Sequence, residues 1–315
     1  MEIIQPNLDF IFIQGDLRFQ AAYLKTQSFW ADLATEVPSS TRENHYGWIG
    51  RIPQMREWLG ERVVNNVATR EYTVANKTFE ATLGLKREDI QDDQLGIFNM
   101  SLDMLAMQAK LWPDKLITDI MQGGHGATAP FQCFDGQPFF STIHPVNVDE
   151  AAAGTYRNYQ ASGCALTSAN LSAVYAEMTS YVLEDGRPAG VVPNLLVVPP
   201  QLKLAAMQIL NATFTAPAVA AGQNAASVMQ SNMLQGWCNT LVHPYLANQA
   251  TTWYLLDTQS FVKPFVWQLR EPVEFTYKTN PGDDNVFKRR EYLYGLYGRG
   301  NAGFSLPFLA YKAVA

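Results

Sequence analysis

The tightest constraint on this chain is a change of hydrophobic period at Gly96. Before it, Phe79, Ala81, Leu83 and Leu85 alternate with Thr78, Glu80 and Thr82, the period of a half-buried strand. After it, Phe98, Leu102, Leu105, Ala109 and Trp112 recur at spacings of four, three, four and three, one apolar stripe of a long helix. Pro113 cannot donate a backbone hydrogen bond, so it either kinks this rod or starts a second segment carrying Leu116, Ile117, Ile120 and Met121. Gly123 and Gly124 then stop it. The pattern predicts an α+β chain.

Other elements follow from local chemistry. Residues 6 to 35 read as mostly helical, with Phe19, Tyr23, Phe29 and Trp30 on a partly apolar face and Pro38 ending the segment. Asp135-Gly136 reads as a hairpin turn. Thr167 or Ser168 caps a helix over 167 to 183, whose Leu171, Val174, Tyr175, Met178 and Val182 share a face. A turn at Glu184 to Pro188 leads to a buried strand, Val191 to Val198; Pro199 and Pro200 break it, and a helix returns over Gln201 to Asn211. Residues 212 to 232, rich in Ala, Thr, Gln and Asn, read as a loop. Strands are expected at Thr251 to Val266, Val273 to Thr279 and Phe287 to Tyr297, with Pro281-Gly282-Asp283-Asp284 as a turn.

The 315 residues are 47% hydrophobic, ample for a sizeable core, and only 17% charged, against about 25% in typical soluble domains. Such a chain either has one large core or hides surface against copies of itself. No apolar run approaches the roughly 18 residues of a membrane span. No Lys or Arg precedes Arg18, so the start lacks the basic region of a secretory signal and a cytoplasmic protein is expected. Cys133, Cys164 and Cys238 are odd in number and widely spaced, which predicts buried reduced thiols. A net charge of -6 disfavours a protein whose main work is holding nucleic acid.

Charge is concentrated in one place. Residues 41 to 93 hold eight basic and nine acidic side chains, 17 of the 52 in the chain. Within VPSSTRENHYGWIG (37 to 50) and RIPQMREWLGER (51 to 62), Trp48 and Trp58 bracket Arg51 and Arg56, the aromatic and arginine mixture that buried interface centres favour. A second strand near Arg62 to Val67 would pair with residues 79 to 85 as a long ribbon. A two-stranded ribbon is marginal alone in water, so it gains order against a neighbouring subunit or stands as a solvated hairpin. The candidate interface residues are Arg42, Trp48, Arg51, Arg56, Glu57, Trp58, Arg62, Arg70, Lys77 and Glu80.

The search for catalytic groups finds little. Gly298 to Gly303 match G-x-G-x-x-G, but a dinucleotide site needs a following helix, another strand and an acidic residue about twenty positions on, and twelve residues remain. These glycines read better as permitting a bulge or close backbone approach in a terminal strand. His45, His125, His144 and His243 are too dispersed for a helical metal pair. Cys133, Asp135 and His144 could form a thiol nucleophile, orienting carboxylate and base; the alternative is a buried thiol, a turn residue and a packed imidazole. No cofactor and no metal are expected.

The order of several motifs resembles one family. The run VPSSTRENHYGW, then FEATLGLKREDIQDDQLGIF (79 to 98), CFDGQPFFSTIHP (133 to 145), PNLLVVPPQL (193 to 202) and YGLYGRGNAGF (295 to 304) are similar to the major head subunits, or major capsid proteins, of Mu-like phages and prophages. The resemblance covers most of the chain. It implies the tailed-phage major capsid fold of the Hong Kong ninety-seven type, divided into an N-terminal arm (1–40), an extended loop (41–93), a spine helix with peripheral domain (94–150), an axial domain (151–260) and return strands of the peripheral domain (261–315).

The same resemblance implies function and partners. The expected role is self-assembly, through hexamers and pentamers, into an icosahedral shell around double-stranded DNA. A separate scaffold, a maturation protease and a portal protein would take part, with assembly in the bacterial cytoplasm and a final place in the virion. Some shells of this fold cross-link a loop lysine to an asparagine, and Lys77 stands where that lysine would be. The rival readings are a soluble α+β enzyme using Cys133, Asp135 and His144, and a phage tail-tube subunit.

Overall fold

The computed structural model describes residues 5–49, 69–91, 97–128, 130–148, 150–215 and 230–315. The first helix, α1 (Gln5–Lys25), is shorter than its sequence pattern predicts. A short turn, α2 (Trp30–Leu33), follows, and Ala34–Pro38 form strand β1 instead of more helix. Asp114 Oδ1 accepts the backbone N–H groups of Phe29 and Trp30 at 2.9 and 2.5 Å, which anchors the break. β1 then pairs in parallel with Phe265–Leu269, a partner no local pattern reveals.

Strands β2 (Glu43–Ile49) and β3 (Thr69–Ala75) pair antiparallel as a ribbon. β4 (Lys77–Lys86) has the predicted alternation but a different partner. It pairs with Glu291–Gly300 in the same subunit, whereas the expected partner near 62 to 67 lies outside the described residues. After α3 (Arg87–Gln91) comes the predicted rod, α4 (Ile97–Gly123), one continuous helix with Pro113 inside it. Its 27 residues span about 40 Å. α1 runs parallel to it: Arg18 pairs with Asp103 at 2.7 Å, and Lys110 Nζ sits 4.7 Å from the Tyr23 ring centroid.

The Asp135-Gly136 turn forms as expected, with Gly136 at φ 77° and its N–H bonded to the Cys133 carbonyl. Two short strands, β5 (His144–Pro145) and β6 (Thr155–Tyr156), pair with each other before β7 (Tyr159–Gln160). α5 (Ser168–Thr179) is capped by the Thr167 hydroxyl, which accepts the Asn170 N–H. β8 (Leu195–Val198), α6 (Lys203–Leu210), β9 (Phe214–Thr215), β10 (Gln230–Ser231) and β11 (Asn239–Val242) follow, and residues 216–229 of the expected loop lie outside the described set.

The expected strand over 251 to 266 is two strands, β12 (Thr252–Leu256) and β13 (Phe265–Lys278). Asp257 separates them by accepting the N–H groups of Gln259 and Ser260. Phe287 falls in a short helix, α7 (Asp284–Arg289), ahead of β14 (Glu291–Phe304) and the last strand, β15 (Ala310–Val314).

Two sheets organise the molecule. The long one has the order β1-β13-β14-β4, with α1 and α4 on one face. Phe19 stacks on Phe275 at 4.7 Å, and Leu102, Ala106 and Ala109 of α4 are buried there. The second sheet has the order β11-β8-β12-β15-β7. Leu196, Val198, Trp253, Leu255 and Tyr311 pack under α5 and α6 on one face. Leu195, Val197, Tyr254 and Leu256 meet Ile117 and Met121 of α4, Phe139, Phe140 and the long sheet's Phe265 and Phe304 on the other. Burial on both faces is why β8 and β12 read as continuous apolar runs. β15 belongs to this sheet, so Ala310–Val314 pair with strands of the 151–260 segment and not with the other strands of 261–315.

Candidate functional site

The ribbon packs Val74 and Tyr72 against the long sheet, and a buried amide fixes its base. Gln268 of β13 is fully buried. Its Nε2 donates to the Val74 carbonyl at 3.1 Å and to Asn76 Oδ1 at 2.7 Å, and its Oε1 accepts the Tyr46 hydroxyl at 2.8 Å. Asn76 Nδ2 donates in turn to Ser39 Oγ and the Thr41 carbonyl, and Asn301 Nδ2 to the Ala75 carbonyl. Both ribbon strands are thus bonded to the sheet beneath them. A buried amide with both donors and its oxygen bonded specifies geometry, since each lost partner leaves a desolvated polar group.

The glycines of the G-x-G-x-x-G match make this seat possible. A Cβ on Gly303 would lie 2.6 Å from Val74 Cγ2, and one on Gly300 would lie 2.6 Å from the Gln268 carbonyl oxygen. Gly298 faces Trp112 at 3.1 Å in the same sense. The reading as close backbone approach therefore holds, with the correction that β14 lies between β13 and β4 and is not the last strand.

The candidate interface residues divide by place. Arg42 is exposed just before β2, and its carbonyl accepts the Asn76 N–H. Trp48 and Arg70 are opposite each other in the ribbon register. Arg51, Arg56, Glu57, Trp58 and Arg62 lie outside the described residues. Lys77 and Glu80 are exposed on β4, in register with Gly300 and Tyr297, so they belong to the long sheet's edge and not to the ribbon. On the ribbon itself, exposed His45 lies 3.6 Å from Glu71 and 3.9 Å from Glu43. Sequence reasoning missed Gln268 and Asn76, whose polarity in an apolar strand and a turn carried the only available signal.

Cys133, Asp135 and His144 form no catalytic arrangement. His144 Nδ1 meets Asp135 Oδ2 at 2.6 Å and its Nε2 faces the Phe139 carbonyl at 3.2 Å, so both ring nitrogens are engaged. Their side chains are 0% and 2% exposed. Burial, and then the Asp135 charge, push the Cys133 thiol well above its ordinary pKa, the opposite of an activated nucleophile. All three cysteines are buried and free. Among the described residues, no group of three or more His, Cys, Asp and Glu could hold a metal, and no helix is long and apolar enough to cross a membrane.

Comparison with known proteins fits this architecture. The chain is 29% identical over 286 residues to the major capsid protein of Escherichia phage Mu, covering 91% of this chain and 66% of that protein. It is 23% identical over 312 residues to the Mu-like prophage FluMu major head subunit of Haemophilus influenzae, covering 99% and 74%. Aligned in space with a chain of the bacteriophage JBD30 procapsid, it gives a TM-score of 0.58 at 28% identity, covering 99% of this chain and 76% of the other. The fold is that of tailed-phage major capsid proteins. The family model for the Mu-like prophage major head subunit gpT matches residues 8–165, 159–246 and 224–315, and the chain belongs to that family.

Proposed function

We propose that this chain is a major capsid subunit that self-assembles into an icosahedral shell enclosing phage double-stranded DNA. The observation that carries the reading is the agreement of family and fold, with a ribbon seated on the long sheet by Gln268. The 41–93 segment then acts as the extended loop, and 94–150 as spine helix and peripheral domain. Residues 1–40 form the arm, 151–260 the axial domain, whose sheet Ala310–Val314 complete, and the rest of 261–315 the return strands. Copies meet as hexamers and pentamers, aided by a separate scaffold, a maturation protease and a portal protein. Assembly takes place in the bacterial cytoplasm and the product is the virion shell.

In this reading residues 41–93 lie across a neighbouring subunit. Trp48 and Trp58 are the anchors, and Arg51, Arg56, Arg62 and Arg70 meet carboxylates there. Negative-stain microscopy of the expressed protein with its scaffold should show closed shells. A species that stays monomeric under all assembly conditions would refute the reading, and helical tubes would point to a tail-tube role. Changing Arg56 and Arg62 together to Glu should abolish shells while leaving circular dichroism unchanged, because like charges at a partly desolvated contact cost several kcal/mol. The acidic balance of the chain fits a wall that releases DNA, so filter binding at physiological salt should retain little DNA.

A further inference from the structure

Past its last turn, α4 runs into Gly124-His125-Gly126, a loop tied back onto the body of the molecule. The Gly124 carbonyl accepts the Phe140 N–H at 2.8 Å, the Gly126 N–H donates to the Gly123 carbonyl at 2.8 Å, and the Ala127 carbonyl accepts Gln132 Nε2 at 3.1 Å. A Cβ on Gly124 would lie 2.9 Å from the Phe140 ring, and one on Gly126 would lie 2.9 Å from the Phe131 ring, so the closed loop has no slack. One further tie is of a different kind. Lys312 Nζ lies 3.0 Å from His125 Nδ1 and joins the loop to β15 of the second sheet.

An ammonium group has donors only, so His125 Nδ1 must accept, and the ring is neutral with its hydrogen on Nε2. The two partners differ in freedom. Lys312 is 2% exposed, donates also to the Gln122 carbonyl at 2.8 Å, and is packed among Phe140, Tyr159 of β7 and Tyr254 of β12, so it cannot follow a moving partner. His125 is exposed and touches Tyr159, with ring centroids 5.6 Å apart. Both tyrosines are neutral, since burial raises them. No carboxylate pairs with Lys312 or His125 among the described residues. The charge that faces the imidazole is that of Lys312.

A proton on Nδ1 removes the acceptor and sets two cations 3.0 Å apart in a partly buried place. We propose that Lys312 and His125 form an acid-released latch, in which protonation drives the His125 ring into solvent and lifts the loop after α4 away from Phe140. Burial, and then the Lys312 charge, hold His125 below its ordinary 6.5, with the Gln122 carbonyl opposing them. A base lowered in this way contributes stability that is present above 6.5 and lost as pH falls through its folded value. Lys312 takes its own proton at about 8, so on acidification the ammonium is in place before the imidazole titrates. The latch belongs to the single subunit and stands whether or not shells form.

Hydrogen exchange at the Gly126 and Phe140 amides reads the loop directly. After correction for the intrinsic rate, protection in the unaltered chain should fall about tenfold or more between about pH 7.5 and about pH 4.5. His125→Gln, whose amide oxygen accepts from Lys312 without titrating, should keep its protection at both ends of that range. His125→Lys should lack it at both, and Lys312→Met, with no cation to repel the ring, should show no acid step. Full protection of the unaltered chain in acid would overturn the proposal. So would an equal loss in His125→Gln, because acid would then be acting through other groups such as His243. A His125 imidazole pKa, read by NMR, that does not rise in Lys312→Met would overturn it as well.

Discussion

The Tyr46 hydroxyl donates to Gln268 Oε1 at 2.8 Å, joining the ribbon to the long sheet through a side chain that has no solvent contact. The same amide holds Val74 and Asn76, so one residue ties β2, β3 and the turn after β3 to β13. Gln268→Leu keeps the volume and removes all three bonds. It should lower unfolding free energy by about 2–3 kcal/mol, the cost of leaving several buried polar groups unpaired. Hydrogen exchange should speed up in 43–49 and 69–75 more than in β8 or β12. Uniform loss of protection would mean that Gln268 supports the whole sheet and not the ribbon.

Three glycine substitutions separate close approach from backbone preference. Gly300→Ala sets a methyl against the backbone carbonyl of Gln268, which cannot move without shifting β13. It should cost about 1–3 kcal/mol, the range for overpacking. Gly303→Ala meets the Val74 side chain and should cost less, while loosening the ribbon's seat. Gly47, on the exposed ribbon, has nothing within 4 Å of a Cβ, so Gly47→Ala should be neutral or slightly stabilising. Equal melting temperatures for all three would sink the argument.

The contrast between what was legible and what was not follows from range. α4 was readable because its stripe repeats locally, as were the Thr167 cap and the Asp135-Gly136 turn. β1 was not, since Ala34–Pro38 become a strand only by pairing with Phe265–Leu269. Nor was α7, where outward Phe287 spoils the helical period. The alternation marks β4 as a strand but does not reveal its pairing with β14, because alternation fixes a face and not a neighbour. Gln268 carries no local signal of burial, because its partners Tyr46, Val74 and Asn76 lie about 200 residues away in the chain.

Acid should probe the junction of α1 with α4. Burial raises Asp114 to about 6 from 3.8, although the Phe29 and Trp30 N–H bonds oppose it, and burial lowers His243 to about 4 from 6.5. Asp114 binds its proton more tightly when folded, so its contribution is full below about 4 and is lost as pH rises through about 6. His243 does the reverse: its contribution is present above 6.5 and lost as pH falls through about 4. Each is on the order of 3 kcal/mol, so the two nearly cancel in the native protein. Asp114→Asn should therefore lose stability between pH 6.5 and 4 more steeply than the native chain, and His243→Phe less steeply. Denaturant titrations at five pH values would show it, and parallel curves for all three proteins would contradict it.

Lys312 offers the same test on the alkaline side. The residue is 2% exposed and its ammonium has no carboxylate partner among the described residues; it donates to the Gln122 carbonyl at 2.8 Å and to His125 Nδ1 at 3.0 Å, among the rings of Phe140, Tyr159 and Tyr254. The Gln122 carbonyl is at the C-terminal end of α4, where the helix favours a cation. Burial still wins and pushes the lysine down to about 8 from 10.5. A lowered base contributes stability that is present above its unfolded pKa and lost as pH falls through its folded one. At pH 7, Lys312→Met should be close to neutral, since it removes a buried unpaired charge along with its hydrogen bonds. As pH rises from 7 to 10, the difference between the proteins should move toward the native chain by on the order of 3 kcal/mol. A difference independent of pH would show that Lys312 keeps an ordinary pKa, and with it that the aromatic cage and the helix end fully replace the water it lost.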